Sequence, residues 1–380
     1  MTRPARVTRT SAPSTWGRAW TSETSNGCSP SEEGGAATQA DRFLRACRGE
    51  PHDTVPVWFM RQAGRYQPEY RALRERYSLL QIALNPALAT EVTVRPVEAF
   101  GVDAAILFSD IMVPLGPLGI RYEIQEGVGP VVPDPIRTGA QVARLGELDP
   151  ARDLPMVLEA VERIVARLHG VPLIGFAGAP FTLASYLVEG QPTRQYVATK
   201  RLMWSDPATW GALMDVLAET AVRYLTAQIR AGAQAVQLFD SWAGALSPAD
   251  YRQYVLPATR RIFAGLAELG VPRIYFGVGT GSLLELMQAT GADVVGVDWR
   301  TPLPEARRRL GPGTALQGNL DPVALLAPWP VLAAAADRIL TAMRGDYAFV
   351  FNLGHGVLPE TDPEQVRRLV AYVHDRGGAA

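Results

Sequence analysis

Eight short apolar runs, at residues 55–59, 104–108, 172–177, 235–239, 273–277, 293–297, 314–317 and 348–352, recur along this chain with longer helical patterns between them. Runs such as Ala104-Ala-Ile-Leu-Phe108 and Ala235-Val-Gln-Leu-Phe239 are apolar at nearly every position rather than at every second one. Strands covered on both faces of a parallel sheet read this way. The intervening patterns, among them 207–231, 248–270 and 363–375, are long enough to return the chain to the start of the next parallel strand. The alternation specifies an α/β architecture and fits a (β/α)8 TIM barrel occupying residues 42–380 as one domain. A doubly wound sheet is the alternative, but the glycine fingerprint expected after its first strand is missing.

Composition narrows the function by exclusion. The formal net charge is −1, so no global field steers the chain to nucleic acid or to an anionic membrane. Lys200 is the only lysine, in an ordinary helical setting, which argues against a Schiff-base mechanism. The two cysteines, Cys28 and Cys47, form neither a CxxC nor an HxC arrangement; no structural zinc or disulfide framework is expected, and a reducing cytoplasm is the default. No apolar run reaches the ~20 residues of a membrane span. Residues 1–41, rich in Ser, Thr, Gly and Ala, read as a disordered extension. A transit-like segment and an over-called start are the alternatives, with Asp41 the expected cap of the domain's first helix. The segment 119–137 reads as an inserted hairpin over the barrel mouth, its role open.

In such a barrel, functional side chains gather where strands end. Arg61, Gln62 and Arg65, with Arg74 further on, follow the first run. Arginine grips carboxylates with a planar fork, so this cluster reads either as a site for a polycarboxylate or as surface arginines. Ser109 and Asp110 follow the second run. Asp110 is an acid amid apolar neighbours, needing partners or a shifted pKa; a helix cap or an ion pair is the plainer alternative. Tyr186 follows the third, Asp240-Ser241-Trp242 the fourth, and Gly354-His355-Gly356 the last, where the glycines leave the imidazole room to meet a ligand. Gly277-Val-Gly-Thr-Gly281 lacks the phosphate-loop pattern and reads as a tight turn, and Asp298 with Arg300 as a structural ion pair. No cofactor signature and no metal-ligand cluster is visible.

Five segments carry a family resemblance: Pro56-Val-Trp-Phe-Met-Arg-Gln-Ala-Gly-Arg-Tyr66, Gly175-Phe-Ala-Gly-Ala-Pro-Phe-Thr-Leu183, Gly296-Val-Asp-Trp-Arg-Thr-Pro302, Gln317-Gly-Asn-Leu-Asp-Pro322 and Asn352-Leu-Gly-His-Gly356. In order and from about Asp41 onward, they resemble uroporphyrinogen decarboxylases. The family often has Trp where Phe181 stands. The resemblance implies a (β/α)8 barrel, usually a homodimer. It converts the four acetates of uroporphyrinogen III to methyls without a cofactor, giving coproporphyrinogen III on the route to haem. It implies Asp110, Arg61 and Tyr186 as catalytic residues. Arg61, Gln62, Arg65, Arg74, Asp110, Phe176, Tyr186, Phe239, Ser241 and His355 are implied to bind substrate: Asp110 on the pyrrole N–H groups, the arginines, Tyr186, Ser241 and His355 on carboxylates, Phe176 and Phe239 on the rings. Two rivals are a corrinoid-dependent methyltransferase, which needs His-x-Cys and a later Cys for zinc, and a non-catalytic tetrapyrrole-binding protein, which could dispense with Asp110.

Overall fold

The computed structural model describes residues 41–378; apart from Asp41, the expected extension at 1–41 lies outside them, as does Cys28. The strands are β1 (Ala105–Ile106), a hairpin of β2 (Glu123–Gln125) and β3 (Gly129–Val131), then β4 (Leu173–Gly178), β5 (Ala235–Asp240), β6 (Arg273–Gly277), β7 (Val294–Gly296), β8 (Ala315–Leu320) and β9 (Phe349–Leu353). Apart from the antiparallel hairpin they form one seven-stranded parallel sheet, in the order β1-β4-β5-β6-β7-β8-β9. Spatial order follows chain order without the reversal of a doubly wound sheet.

The run at 55–59, expected as a full strand, is reduced to a single parallel bridge between Val57 and Phe351 of β9. Two local causes limit its ladder. Pro56 has no N–H to donate, and the Val57 N–H donates to the Asp103 carboxylate at 2.7 Å. The run still lies between the two edges of the sheet. The Phe351 N–H donates to the Pro56 carbonyl on one side, and the Asp103 N–H to the Val57 carbonyl on the other. Trp58 donates from Nε1 to Gln317 on β8, and Gln317 donates to Gln237 on β5, both at 3.0 Å, so a buried amide chain crosses from this run to β5.

Helices follow the strands. Pro207–Arg230 and Pro363–Arg376 stand where periodicity puts them. The pattern at 248–270 breaks into Pro248–Tyr254, Leu256–Gly265 and a short 3-10 turn, Ala267–Leu269. Pro257 cannot donate to a preceding turn and clashes with it, which ends the first helix at Val255. The first described helix, Arg42–Arg48, starts at Asp41, but the Asp41 side chain makes no capping hydrogen bond. No described helix is long and apolar enough to cross a membrane.

Candidate active site

Loops after the strands bring Arg61, Asp110, Tyr186 and His355 within electrostatic reach of one another, a place here called the recess. The loop bearing Arg61 is tied to the loop after β9: the Met60 N–H donates to Asn352 Oδ1 at 3.2 Å, and the Val357 N–H to the Met60 carbonyl at 2.9 Å. A Cβ on Gly356 would run into the Arg61 stem, and one on Gly354 into Trp299. The glycines around His355 therefore make room for protein, Arg61 above all, as well as for the imidazole. Arg61 adopts φ 59°, the left-handed region that costs a non-glycine residue about 1 kcal/mol or more. Such strain persists where the fold needs a side chain aimed in one direction.

Electrostatics show which groups face one another. Arg61 is open to solvent by area although protein crowds its head group. That crowding and the Arg65 charge lower its pKa, opposed by Tyr186 and Asp110. Asp110 is pushed up by burial; only the Met112 N–H, at 2.9 Å, and the Arg61 charge oppose the shift. Tyr186 is raised by burial and by the Asp110 charge, so its phenol stays protonated. His355 is lowered to about 4 by burial and by the Arg61 and Arg300 charges, so it is neutral at pH 7. Among the described residues, Arg61, Arg65 and Arg74 have no carboxylate within salt-bridge distance, and Arg74 Nη1 is buried without a hydrogen-bond partner.

The wall between these groups is aromatic. Ring centroids run from Phe176 to Phe239 at 5.5 Å, Phe239 to Phe276 at 6.1 Å and Phe276 to His355 at 6.4 Å. Gly296 lies beside the Phe276 ring, where a Cβ would come within 2.8 Å of it. Ser241, half-buried, lies between Phe239 and Trp242, whose indole stacks on Tyr186 at 4.0 Å.

Arg61, Arg65, Asp110, Tyr186 and His355 act on one another's charge, and Phe176 and Phe239 pack together, while Gln62 does another job. Gln62 is buried, its Oε1 accepting from the Phe59 N–H and its Nε2 donating to the Ala104 carbonyl, both at 3.0 Å. Its amide is spent on backbone, so it shapes the Arg61–Arg65 loop instead of reaching the recess. Asp298 and Arg300 form the expected ion pair at 2.6 Å, and Asp298 also accepts the Gly279 N–H at 2.7 Å, which ties the glycine turn to the loop after β7. Residue spacing missed Tyr122, ahead of β2, whose hydroxyl is pushed up to about 12 by burial and the Asp110 charge. The hairpin segment is bound to the Tyr186 helix, the Val132 N–H donating to Gly190 and the Ile136 N–H to Leu187. Nothing in the sequence of that hairpin marks Tyr122.

Comparison with known proteins gives this arrangement a family. Residues 38–376 match the family described as uroporphyrinogen decarboxylase (URO-D). The chain belongs to the uroporphyrinogen decarboxylase family. Among curated members, the "Uroporphyrinogen decarboxylase" of Streptomyces griseus subsp. griseus is 57% identical over 340 residues, 90% of this chain and 93% of that protein. The one from Geobacillus kaustophilus is 54% identical, covering 88% of this chain and 97% of its own length. Among solved structures, a methyltransferase from Methanosarcina mazei superposes with TM-score 0.73 at 22% identity, over 89% of this chain and 99% of that one. At that identity the likeness speaks for the fold alone.

Proposed function

We propose that this chain is a uroporphyrinogen decarboxylase, converting the four acetate side chains of uroporphyrinogen III to methyls and giving coproporphyrinogen III. One observation carries the reading: Asp110, facing the Arg61 guanidinium, has among the described residues a single protein N–H, that of Met112, on its carboxylate. A carboxylate so placed lacks donors, and the pyrrole N–H groups of a tetrapyrrole ring supply them while the arginines take its carboxylates. Membership of the family supports the same substrate.

The chemistry needs an electron sink, and the pyrrole can be its own. A proton added to a ring carbon leaves the ring nitrogen cationic. Breaking the bond between the acetate methylene and its carboxylate releases carbon dioxide and returns the electron pair to the ring, leaving an exocyclic methylene. A proton on that methylene and loss of the ring-carbon proton restore the pyrrole with a methyl in place of the acetate. Asp110, ionised once N–H donors surround it, stabilises the cation in a site with little water. Arg61, Arg65 and Arg74 present one acetate at a time. Arg61 is also our candidate proton donor, since crowding and Arg65 shift its pKa downward. Neutral His355 and protonated Tyr186 offer hydrogen bonds to carboxylates instead of full charges. In the same reading, the run at 55–59 closes the sheet into a (β/α)8 barrel, and the protein works as a cytoplasmic homodimer.

The methyltransferase rival has only shared fold behind it: Cys47 is buried and its thiol is pushed far up, no setting for a zinc thiolate. The test is anaerobic incubation with uroporphyrinogen III, followed by oxidation and chromatography of the porphyrins. Products running from hepta- to tetracarboxylate are expected, and their absence overturns the proposal.

A further inference from the structure

A second buried carboxylate, outside the recess, is bound to the helix that carries Tyr186. Asp240 ends β5 and alternates with Gln237 and Phe239, so it points to the opposite face of the sheet. It is fully buried, and among the described residues no cation lies within salt-bridge distance of it. Hydroxyls satisfy it instead. Oδ1 accepts from Thr182 Oγ1–H at 2.7 Å and Oδ2 from the Tyr275 hydroxyl at 2.6 Å, while Tyr275 shares a 2.7 Å hydrogen bond with the Tyr251 hydroxyl. Thr182 Oγ1 also accepts the backbone N–H of Trp242 at 3.2 Å. A hydroxyl that must donate to a carboxylate and accept from an amide has one orientation.

Thr182 and Tyr186 are four residues apart on the helix Pro180–Glu189 and share a face. The same Trp242 whose backbone N–H rests on Thr182 stacks its indole on the Tyr186 ring, 4.0 Å between centroids and 34° from parallel. The helix has Ala179 at its N-cap, which has no side-chain acceptor, and the Asp240 carboxyl is tied to that first turn through Thr182. A buried carboxylate without a cation is poor stabilisation compared with a packed apolar residue. Its retention points to geometry instead.

We propose that Asp240 and Thr182 are positioning residues, locking Trp242 against Tyr186 and thereby fixing the Tyr186 phenol beside Asp110. The inference rests on the decarboxylase reading for its catalytic consequence but not for its geometry. Thr182→Val keeps the shape and removes the hydroxyl. It should lower kcat about tenfold with KM changed less than about twofold, since small misplacements cost rate before binding; Thr182→Ser should restore most of the loss. In a Tyr186→Phe background the Thr182→Val loss should disappear, because its only route is through the phenol. An undiminished loss there means a merely structural role and overturns the proposal. A second readout needs no turnover. The Trp242 band in the near-ultraviolet circular dichroism, taken as the difference from Trp242→Phe, should collapse in Thr182→Val and in Asp240→Asn and return in Thr182→Ser. An unchanged band in folded Thr182→Val protein overturns the proposal; an inactive wild type with the band responding as described overturns the decarboxylase reading and leaves the positioning intact.

Discussion

Asp103 and Asp110 flank the same two-residue strand, both in apolar surroundings, and the protein treats them oppositely. Asp103 is saturated: it accepts the Val57 N–H at 2.7 Å, Arg42 Nη1 at 3.1 Å and His374 Nε2 at 2.7 Å. It thereby clamps the first described helix, the first run and the C-terminal helix together. Asp110 has one backbone N–H, a rising pKa and unpaired arginines nearby. A buried acid with its partners in place stabilises the fold, whereas one left short of donors is stored for a ligand. The two ends of one strand thus divide stability from chemistry, as the two faces of a barrel do.

Exchanging the roles of these two aspartates is the sharpest way to break that comparison. Asp110→Asn should lower kcat by about 10³-fold or more, the scale of a lost charge-stabilising group, while uroporphyrinogen binding, read by ligand-induced thermal shift, is retained. Substantial turnover in that variant removes Asp110 from its role. Asp103→Asn should do the reverse, costing about 2 kcal/mol in urea unfolding because a buried acceptor shared by Val57, Arg42 and His374 is lost while Arg42 keeps only Asp53, with kcat per folded molecule unchanged. Arg61→Lys, which keeps charge but loses the fork, should cost about 100-fold in kcat/KM; near-normal activity would show that a point charge suffices. Gly356→Ala should be milder, about tenfold in kcat/KM as the new methyl displaces the Arg61 stem, with unfolding free energy lowered by about 1 kcal/mol.

The last effect is on pH. His355 is lowered from 6.5 to about 4 in the folded protein, so between those values the unfolded chain binds the extra proton. Stability therefore falls as pH drops through that window, and the penalty is complete below about 4. His355→Asn should flatten this acid arm of the stability curve in urea titrations at successive pH values. An unchanged slope would mean that the imidazole is not desolvated.

Much of the architecture was legible because burial writes itself locally. Each of the eight apolar runs lies where the sheet or its bridging segment needs one, from the bridge at Val57 to β9. Arg61, Asp110, Tyr186 and His355 were legible as strand-end residues of unusual chemistry, and the structure brings their fields together. Other features depended on partners far away in sequence. The side chain of Asp103 takes the N–H that would have extended the first strand, and Gln62 looks like its arginine neighbours but turns inward to Ala104. Tyr122 joins the recess only because its hairpin segment is pinned to the Tyr186 helix.

Periodicity and residue chemistry, both readable within a few neighbouring positions, determined the α/β class, the strand positions and the family resemblance. Tertiary structure alone decided which carboxylate is satisfied and which is left short. Asp103, Asp110 and Asp240 are the same residue at the margin of similar apolar runs. Their different fates come from an Arg42 and a His374 at opposite ends of the chain, a lone Met112 amide, and hydroxyls from Thr182 and Tyr275. Desolvation makes each carboxylate's behaviour depend on its nearest donors, and those are chosen by the fold.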